Sequence, residues 1–208
     1  MKIALAVLAA TLAASASAQD ATIAKMSGPV SIMAAGAAKY SPAKSGTEII
    51  YGDTVRVGKG GVAQLTLKDR GAVLLREETV MTLQGNDKDT RLSFRFGEFL
   101  IGLRKKLAPK QTFKIRTAAA VASVRGTLFW GKSDQADKSS TYAGFGHTVA
   151  VSAKGKTVLV TPGKTVKIAF GEAPADPVAS TVTIDYAKNF ALDGDLQGLE
   201  KLVTDKSE

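Results

Sequence analysis

The chain of 208 residues contains no cysteine and a single histidine, His147. The lack of cysteine excludes a disulfide framework, a thiolate-ligated zinc or iron–sulfur site and a thiol nucleophile. With one histidine, a multi-histidine metal site cannot form within one chain, and any Ser-His-Asp triad would have to include His147. These absences remove several catalytic and metal-binding classes before any motif is considered.

Long apolar runs are also scarce, since the sequence has only one, at the amino terminus. Lys2 precedes an apolar stretch over residues 3–14, and Ala16-Ser17-Ala18 matches an A-x-A cleavage signal. A membrane-spanning helix needs roughly 20 apolar residues, so we favour a signal peptide over an uncleaved anchor. The sequence therefore predicts a cleaved signal peptide over residues 1–18, no membrane span and a periplasmic protein, with full secretion as an alternative.

Short alternating segments separated by glycine dominate the rest of the chain. In residues 91–96, leucine and phenylalanine alternate with arginine and serine, as expected for a strand with one buried face. Residues 113–116 and 165–170 alternate in the same way. Breaks that contain glycine recur at spacings of roughly 8–12 residues, which is typical of all-β folds. The sequence predicts an all-β fold of many short strands, either β-solenoid-like or an irregular β-sandwich.

The composition changes after Gly171. Residues 172–177 include two prolines and have the character of a linker, and a short strand is predicted at 181–184. Leucines at near-helical spacing predict a short C-terminal helix over residues 196–203, which would either cover the β core or bind a partner. The predicted organisation is a signal peptide (1–18), a β-domain (22–170), and a linker with a C-terminal strand and helix appendage (171–208).

Several segments of the predicted β-domain match the pattern of one known domain family, and they occur in the order of that pattern. The most specific is residues 113–129, where a strand and a run of small residues lead into Val124-Arg125-Gly126-Thr127 and an aromatic residue. Residues 51–58 resemble the family's Gly-Asp-x-Val-x-Thr-Gly element, and residues 161–165 resemble its closing Pro-Gly turn. On these segments the chain resembles the FecR domain family, and the resemblance extends over about residues 22–170.

The resemblance implies a FecR-type β-domain that works in the bacterial cell envelope as a sensing, scaffold or protein-interaction module, without catalysis. Two positions depart from the family: Ala118 stands where proline is usual, and Arg70 splits an Asp-Gly turn. The membrane-anchored FecR regulators also carry a sigma-factor-binding segment and a transmembrane helix, and neither is recognisable in this sequence. Sigma-factor control is therefore not expected.

The family motif has two interpretations. In the favoured one, Val124, Arg125, Gly126 and Thr127 are structural, because Arg125 would pair internally while Gly126 turns the chain. In the other, Arg125 presents a fixed guanidinium to a carboxylate or phosphate of a partner.

Positive charge is concentrated in one stretch. The formal net charge is +9, and residues 91–116 contain eight basic residues beside a single acid, Glu98. They form a candidate binding surface and are Arg91, Arg95, Arg104, Lys105, Lys106, Lys110, Lys114 and Arg116. The alternative function is therefore binding of an anionic envelope polymer, lipopolysaccharide or peptidoglycan, as opposed to ordinary solvated strand faces. Nucleic acid is not an expected partner of an exported protein.

No group of residues has the spacing of a catalytic or metal site. His147 lacks an oriented nucleophile and acid, and Glu77 and Glu78 are adjacent in a strand-turn region, so their side chains diverge. Residues 86–89 lack the ligand number and distal glutamate of a calcium loop. We expect no catalytic residue, no metal and no cofactor, with a hydrolase that uses acids alone as the enzymatic alternative. The partner, an envelope protein or an anionic polymer, and the oligomeric state stay open.

Overall fold

The computed structural model describes residues 19–68, 70–103, 107, 110–124 and 126–188, apart from the side chains of residues 187 and 188. The predicted signal peptide and the predicted helix at 196–203 lie outside the described residues. So do Arg104, Lys105, Lys106 and Arg125. The expectations for all of these stay predictions.

The described part of the chain folds into seventeen β-strands and one short helix. In chain order they are β1 (Ala21–Ser27), β2 (Val30–Met33), β3 (Ser41–Pro42), β4 (Glu48–Ile49), β5 (Thr54–Val57), β6 (Val62–Leu67), β7 (Gly71–Leu75), β8 (Thr79–Gly85), β9 (Asp89–Leu103), β10 (Thr112–Arg116), β11 (Val121–Val124), β12 (Leu128–Ser133), β13 (Ser140–Gly144), β14 (Val149–Ala153), β15 (Lys156–Val160), β16 (Lys164–Ile168), β17 (Val178–Ala179) and α1 (Ile184–Lys188). The predicted all-β class with many short strands is confirmed.

The strand predicted at 181–184 is wrong. The last strand ends at Ala179, and α1 begins at Ile184. The reason is a local helix start: the Thr183 hydroxyl accepts a hydrogen bond from the backbone N–H of Tyr186 at 3.2 Å, and Asp185 lies in the first turn. A hydroxyl cap and an early acidic residue both favour a helix N-terminus.

The strands form two sheets that share β9. Sheet A has the order β4-β1-β6-β7-β9-β12-β13-β16-β17, and sheet B has the order β3-β2-β5-β8-β9-β10-β11-β14-β15. Residues 89–96 of β9 pair within sheet B, and residues 97–103 pair within sheet A. Among the described strands, β9 with β10 is the parallel pair and the others are antiparallel. Because the coils of a solenoid stack in parallel, this pairing does not confirm the solenoid-like alternative.

Strand β9 changes sheets at Gly97, a position that requires glycine. Its φ is +114°, and a Cβ there would lie 2.2 Å from Thr79 Oγ1 and 2.5 Å from Thr79 Cα. The same threonine fixes the crossing, since its hydroxyl oxygen accepts a hydrogen bond from the Glu98 N–H at 3.1 Å. The crossing therefore depends on one residue without a side chain and one hydroxyl.

The inward faces of both sheets meet in one apolar core. Strand β7 shows how the sequence builds it, because all five of its residues are buried. Val73 and Leu75 belong to the core between the sheets, whereas Ala72 and Leu74 belong to a second apolar cluster on the outer face of sheet A.

The second cluster crosses several strands of sheet A. Leu74, Leu100 and Trp130 lie directly opposite one another on β7, β9 and β12. Val182 and Ile184, from the segment after β17, pack against this row. This apolar row on the outer face of sheet A is thus covered by the chain itself.

Candidate interaction surface

Four of the predicted basic residues share the outer face of sheet B. Arg91 and Arg95 lie on β9, Lys114 and Arg116 lie on the neighbouring β10, and the apolar residues between them are buried in the core. Lys114 is directly opposite Arg91, and Arg116 is opposite Ser93. The alternation expected from the sequence is therefore observed, and the structure brings these four cations together.

Of the other basic candidates, only Lys110 lies within the described residues, and it is not part of this strand pair. Lys110 is exposed in the turn before β10, where its φ is +67°. Arg56, which the sequence did not single out, is exposed on β5 in the same sheet, and its guanidinium lies 5.7 Å from the centroid of the Tyr40 ring. Val55 and Val57 are buried beside it, so Arg56 points to the outer face.

Asp89 offsets part of the positive charge. Its carboxylate lies 3.1 Å from Arg91 Nη2 and 3.6 Å from Lys114 Nζ. A hydrogen bond from the Thr112 hydroxyl, together with the charges of Lys114 and Arg91, holds the pKa of the Asp89 carboxyl below its usual value. Sequence reasoning missed Asp89 because the charge count began at residue 91. The signal was available, since residues two apart in a strand share a face.

Arg95 and Arg116 have no carboxylate partner among the residues that the structure describes. Both are exposed. The surface between them is polar, since Ser93 donates a hydrogen bond to Gln84 Oε1 at 2.8 Å. Arg95 and Arg116 therefore contribute unpaired positive charge to this face, as does Arg56 on β5.

Of the described members of the family motif, Val124 and Thr127 are buried and Gly126 is half-buried. Val124 is buried, Gly126 has a φ of +86°, and Thr127 is fully buried. The Thr127 hydroxyl donates to the carbonyl of His147 at 3.0 Å. These contacts join the start of β12 to the loop after β13. Arg125 lies outside the described residues, so its role stays a prediction.

A buried hydroxyl network supports the turn between β10 and β11. Thr117 Oγ1 lies 2.9 Å from the Tyr142 hydroxyl and accepts a hydrogen bond from Ser140 Oγ at 2.8 Å. Burial raises the pKa of the Tyr142 hydroxyl. The backbone N–H of Ala120 also donates to Thr117 Oγ1, at 3.2 Å. This network fixes the turn, and it could not be predicted from local sequence patterns because its members are far apart along the chain.

The acidic and histidine candidates lie in turns. Glu77 Oε2 accepts a hydrogen bond from the Gly60 N–H at 2.6 Å, and Glu78 has a φ of +53°. His147 is exposed in the bend after β13. In the described ranges, no three His, Cys, Asp or Glu side chains are grouped closely enough to hold a metal ion.

The C-terminal segment is fastened to sheet A by Glu98. Glu98 Oε1 accepts hydrogen bonds from Trp130 Nε1 at 2.8 Å and from the Tyr186 hydroxyl at 2.6 Å. The Trp130 and Tyr186 rings meet edge to face, with centroids 6.4 Å apart. Burial, followed by the hydrogen bond and negative charge of Glu98, raises the pKa of Tyr186 to about 12.

The fold and its surfaces define an all-β domain with a self-covered apolar face and a polar, positively charged face. The chain belongs to the FecR protein family, because the family model, described as FecR protein, matches residues 53–166. This match confirms the resemblance found in the sequence. No curated protein matches the chain significantly.

Solved structures share the fold. Two crystal structures of a "putative anti-sigma factor" from Parabacteroides distasonis ATCC 8503 each superpose with a TM-score of 0.53 at 20% sequence identity. The match covers 61% of this chain and 59% of that protein, so the chain spans well under two thirds of its neighbour's length. Within the described residues, no helix has the length and apolar character needed to span a membrane.

Proposed function

We propose that this chain is an exported, non-catalytic FecR-type module of the bacterial cell envelope, which acts in sensing or scaffolding by binding another protein. The observation that carries the proposal is the family match, which runs from β5 into β16 and so covers most of the sandwich. The anti-sigma description of the structural neighbours supports a regulatory rather than an enzymatic role.

The architecture suits such a role. A single core joins both sheets, so the outer face of sheet B presents its side chains on a rigid support. Rigid display lowers the conformational entropy that is lost on binding, and this favours recognition of a partner's surface. The surface is polar and carries arginine, a residue type enriched at protein interfaces.

Capture of the partner tests the proposal. The full chain, tagged at its C-terminus, is expressed in its native bacterium, cross-linked in the envelope and purified in high salt. We expect one defined envelope protein to be retained in stoichiometric amount. If only salt-labile material is recovered, or if no protein is recovered, binding of a protein partner is refuted.

Export is tested separately by cell fractionation and by the amino terminus of the mature protein. We expect the periplasmic chain to begin at Gln19. The variant Ala18→Arg places a charge at the predicted cleavage site and should accumulate as the uncleaved form. A wild-type chain that stays in the cytoplasm with residues 1–18 intact would contradict export.

A second candidate function is binding of an anionic envelope polymer by the outer face of sheet B. It is favoured by Arg95 and Arg116, which are exposed and lack a carboxylate partner among the described residues. Retention on immobilised lipopolysaccharide should fall at least tenfold in the double variant Arg95→Glu, Arg116→Glu. The charge-matched control Lys44→Glu, Lys68→Glu changes exposed residues elsewhere. Equal losses in both variants would show that only net charge matters.

A further inference from the structure

The four sheet edges differ sharply in how they are protected. The edge strands of sheet A, β4 and β17, have two residues each, and β3 in sheet B has two residues, one of them proline. The remaining edge strand, β15, has five residues and no proline. Short edges and prolines disfavour pairing with other chains, so β15 is the unprotected edge among the described strands.

The backbone of β15 presents unpaired groups on its outer side. Among the described strands, β15 pairs with β14 alone. Lys154 and Gly155 form the two-residue connection, and both have positive φ, as a type I′ hairpin requires. In such a hairpin the closing pair is hydrogen-bonded and the bonding alternates along the strands. The N–H and C=O groups of Thr157 and Leu159 therefore point away from β14.

The side chains of β15 are arranged for a strand that is half buried and open at its edge. Val158 and Val160 are buried in the core, which holds the strand in place. Thr157 is exposed, and Leu159 is 61% exposed, although leucine is otherwise buried in this sandwich. An incoming strand would cover Leu159 and satisfy the outward backbone groups together.

Cations surround the start of β15. An open groove of about 540 Å³ is lined by the β10–β11 turn and the β14–β15 turn, and it includes Arg116 and Lys154. Lys156 has Asp176 at 3.4 Å as its partner, but the two side chains are 49% and 93% exposed. Such exposed pairs contribute little and are easily exchanged. The edge thus begins beside a positively charged groove.

These observations identify the kind of occupant. We propose that β15 is the docking edge for an extended, acidic segment of the partner protein, which adds a strand to sheet B and places carboxylates near Arg116 and Lys154. The inference rests on the proposed protein-binding function and names its site. Strand addition takes affinity from main-chain hydrogen bonds and specificity from alternate side chains. A second copy of this chain fits less well, because two copies with a net charge of +9 repel each other.

The test uses two probe peptides and two variants of the purified full chain. The probes are octapeptides of alternating valine with glutamate and of alternating valine with lysine. Thr157→Pro removes the outward N–H while leaving the hydrogen bonds to β14. Thr157→Ala keeps that N–H and removes the side-chain methyl and the hydroxyl, which lies 2.7 Å from Ser152 Oγ. Peptide binding is followed by NMR, and folding of each variant by its melting temperature.

We expect the glutamate peptide to shift the amide signals of Thr157 and Leu159 and to slow their hydrogen exchange. Thr157→Pro should weaken this binding at least tenfold, Thr157→Ala should stay within twofold of the wild type, and the lysine peptide should bind at least tenfold more weakly. The proposal is overturned if folded Thr157→Pro binds like the wild type, or if the two peptides bind equally. It is also overturned if the wild type binds neither peptide. One such result is a wild-type dimer that Thr157→Pro disrupts, because the occupant of the edge would then be a second copy of the chain.

Failure of this inference and failure of the proposed function give different results. If cross-linking retains an envelope protein equally with wild type and Thr157→Pro, the docking edge is wrong while the protein-binding function stands. If no protein is retained but the peptide results are as expected, the edge is competent and the proposed function fails.

Discussion

The outer faces of the two sheets differ in polarity and in whether the chain covers them. On sheet A, an apolar row that includes Leu100 and Trp130 is covered by Val182 and Ile184 of the same chain. On sheet B, the outer face carries cations and hydroxyls that need no cover. The comparison teaches that the chain covers its own apolar outer face, whereas the described residues leave the charged face and the β15 edge exposed.

The contrast depends on β9, which supplies one strand to each sheet. We expect Gly97→Ala to have the largest effect, a loss of roughly 2–6 kcal/mol, because it combines the strain of a positive φ with a clash. The added Cβ would lie 2.5 Å from the backbone Cα of Thr79. Denaturant unfolding measures the loss, provided that the variant still folds.

A matched control separates the two causes. Gly36 also has a positive φ, of +76°, but a Cβ there would have no atom within 4 Å. Gly36→Ala should therefore cost only about 1–2 kcal/mol, from backbone strain alone. If both substitutions cost the same, the clash at the sheet crossing is unimportant and β9 is not held at Gly97.

Truncation on the two faces tests the comparison itself. Leu100 is fully buried on the outer face of sheet A, so Leu100→Ala should cost about 2–5 kcal/mol through lost burial and the remaining cavity. Arg95→Ala on the exposed face of sheet B should leave the unfolding midpoint unchanged. Similar losses at the two positions would show that the outer face of sheet B is also covered.

The contact that fastens the C-terminal segment should weaken in alkaline solution. The pKa of Tyr186 is raised from 10 to about 12, so folding favours the neutral phenol, and this stabilisation is lost as the pH rises from 10 to 12. Phenolate absorbance of the wild type minus that of Tyr186→Phe should titrate near pH 12. Glu98→Gln should move the titration midpoint of Tyr186 towards pH 10. If this midpoint does not move, Glu98 does not contribute to the raised pKa of Tyr186.

Local patterns predicted most of the strands but not their partners. Alternation at residues 91–96 placed leucine and phenylalanine inside; in β9 Leu92 and Phe94 are buried, whereas Phe96, beside the crossing, is half-buried. The same pattern could not show that β9 crosses between sheets at Gly97, because a register between distant strands depends on packing that no local window contains. The helix start at Thr183 was missed since a strand and a capped helix compete for the same short apolar segment.

The sequence predicted which side chains of the candidate surface point outwards, but not how far acidic neighbours offset their positive charge. Strand periodicity correctly turned Arg91, Arg95, Lys114 and Arg116 outwards. It could not show that β9 and β10 pair in parallel and bring Asp89 beside Lys114. The Thr117–Tyr142 hydrogen bond was beyond reach for a similar reason, since it joins residues 25 positions apart.

Asp89 offers the smallest and most selective test of the charged face. Its carboxylate lies between Arg91 and Lys114, so Asp89→Asn should make this face more positive with little change in melting temperature. We expect retention on polyglutamate beads to rise several-fold at low salt, and the gain to disappear at high salt as the charges are screened.

The control for this change is Asp137→Asn. Asp137 is also exposed, its pKa is also lowered, first by hydrogen bonds from Ser139, and it pairs with Lys167 of sheet A at 3.7 Å. Both substitutions add the same net charge, so a gain confined to Asp89→Asn assigns binding to the outer face of sheet B. Because the pKa of Asp89 is lowered, its contribution to stability persists above its usual pKa and is lost as the pH falls through the lowered value. The difference in stability between wild type and Asp89→Asn should therefore vanish in acid. A stability difference that persists in acid would mean that the carboxylate charge is not its cause.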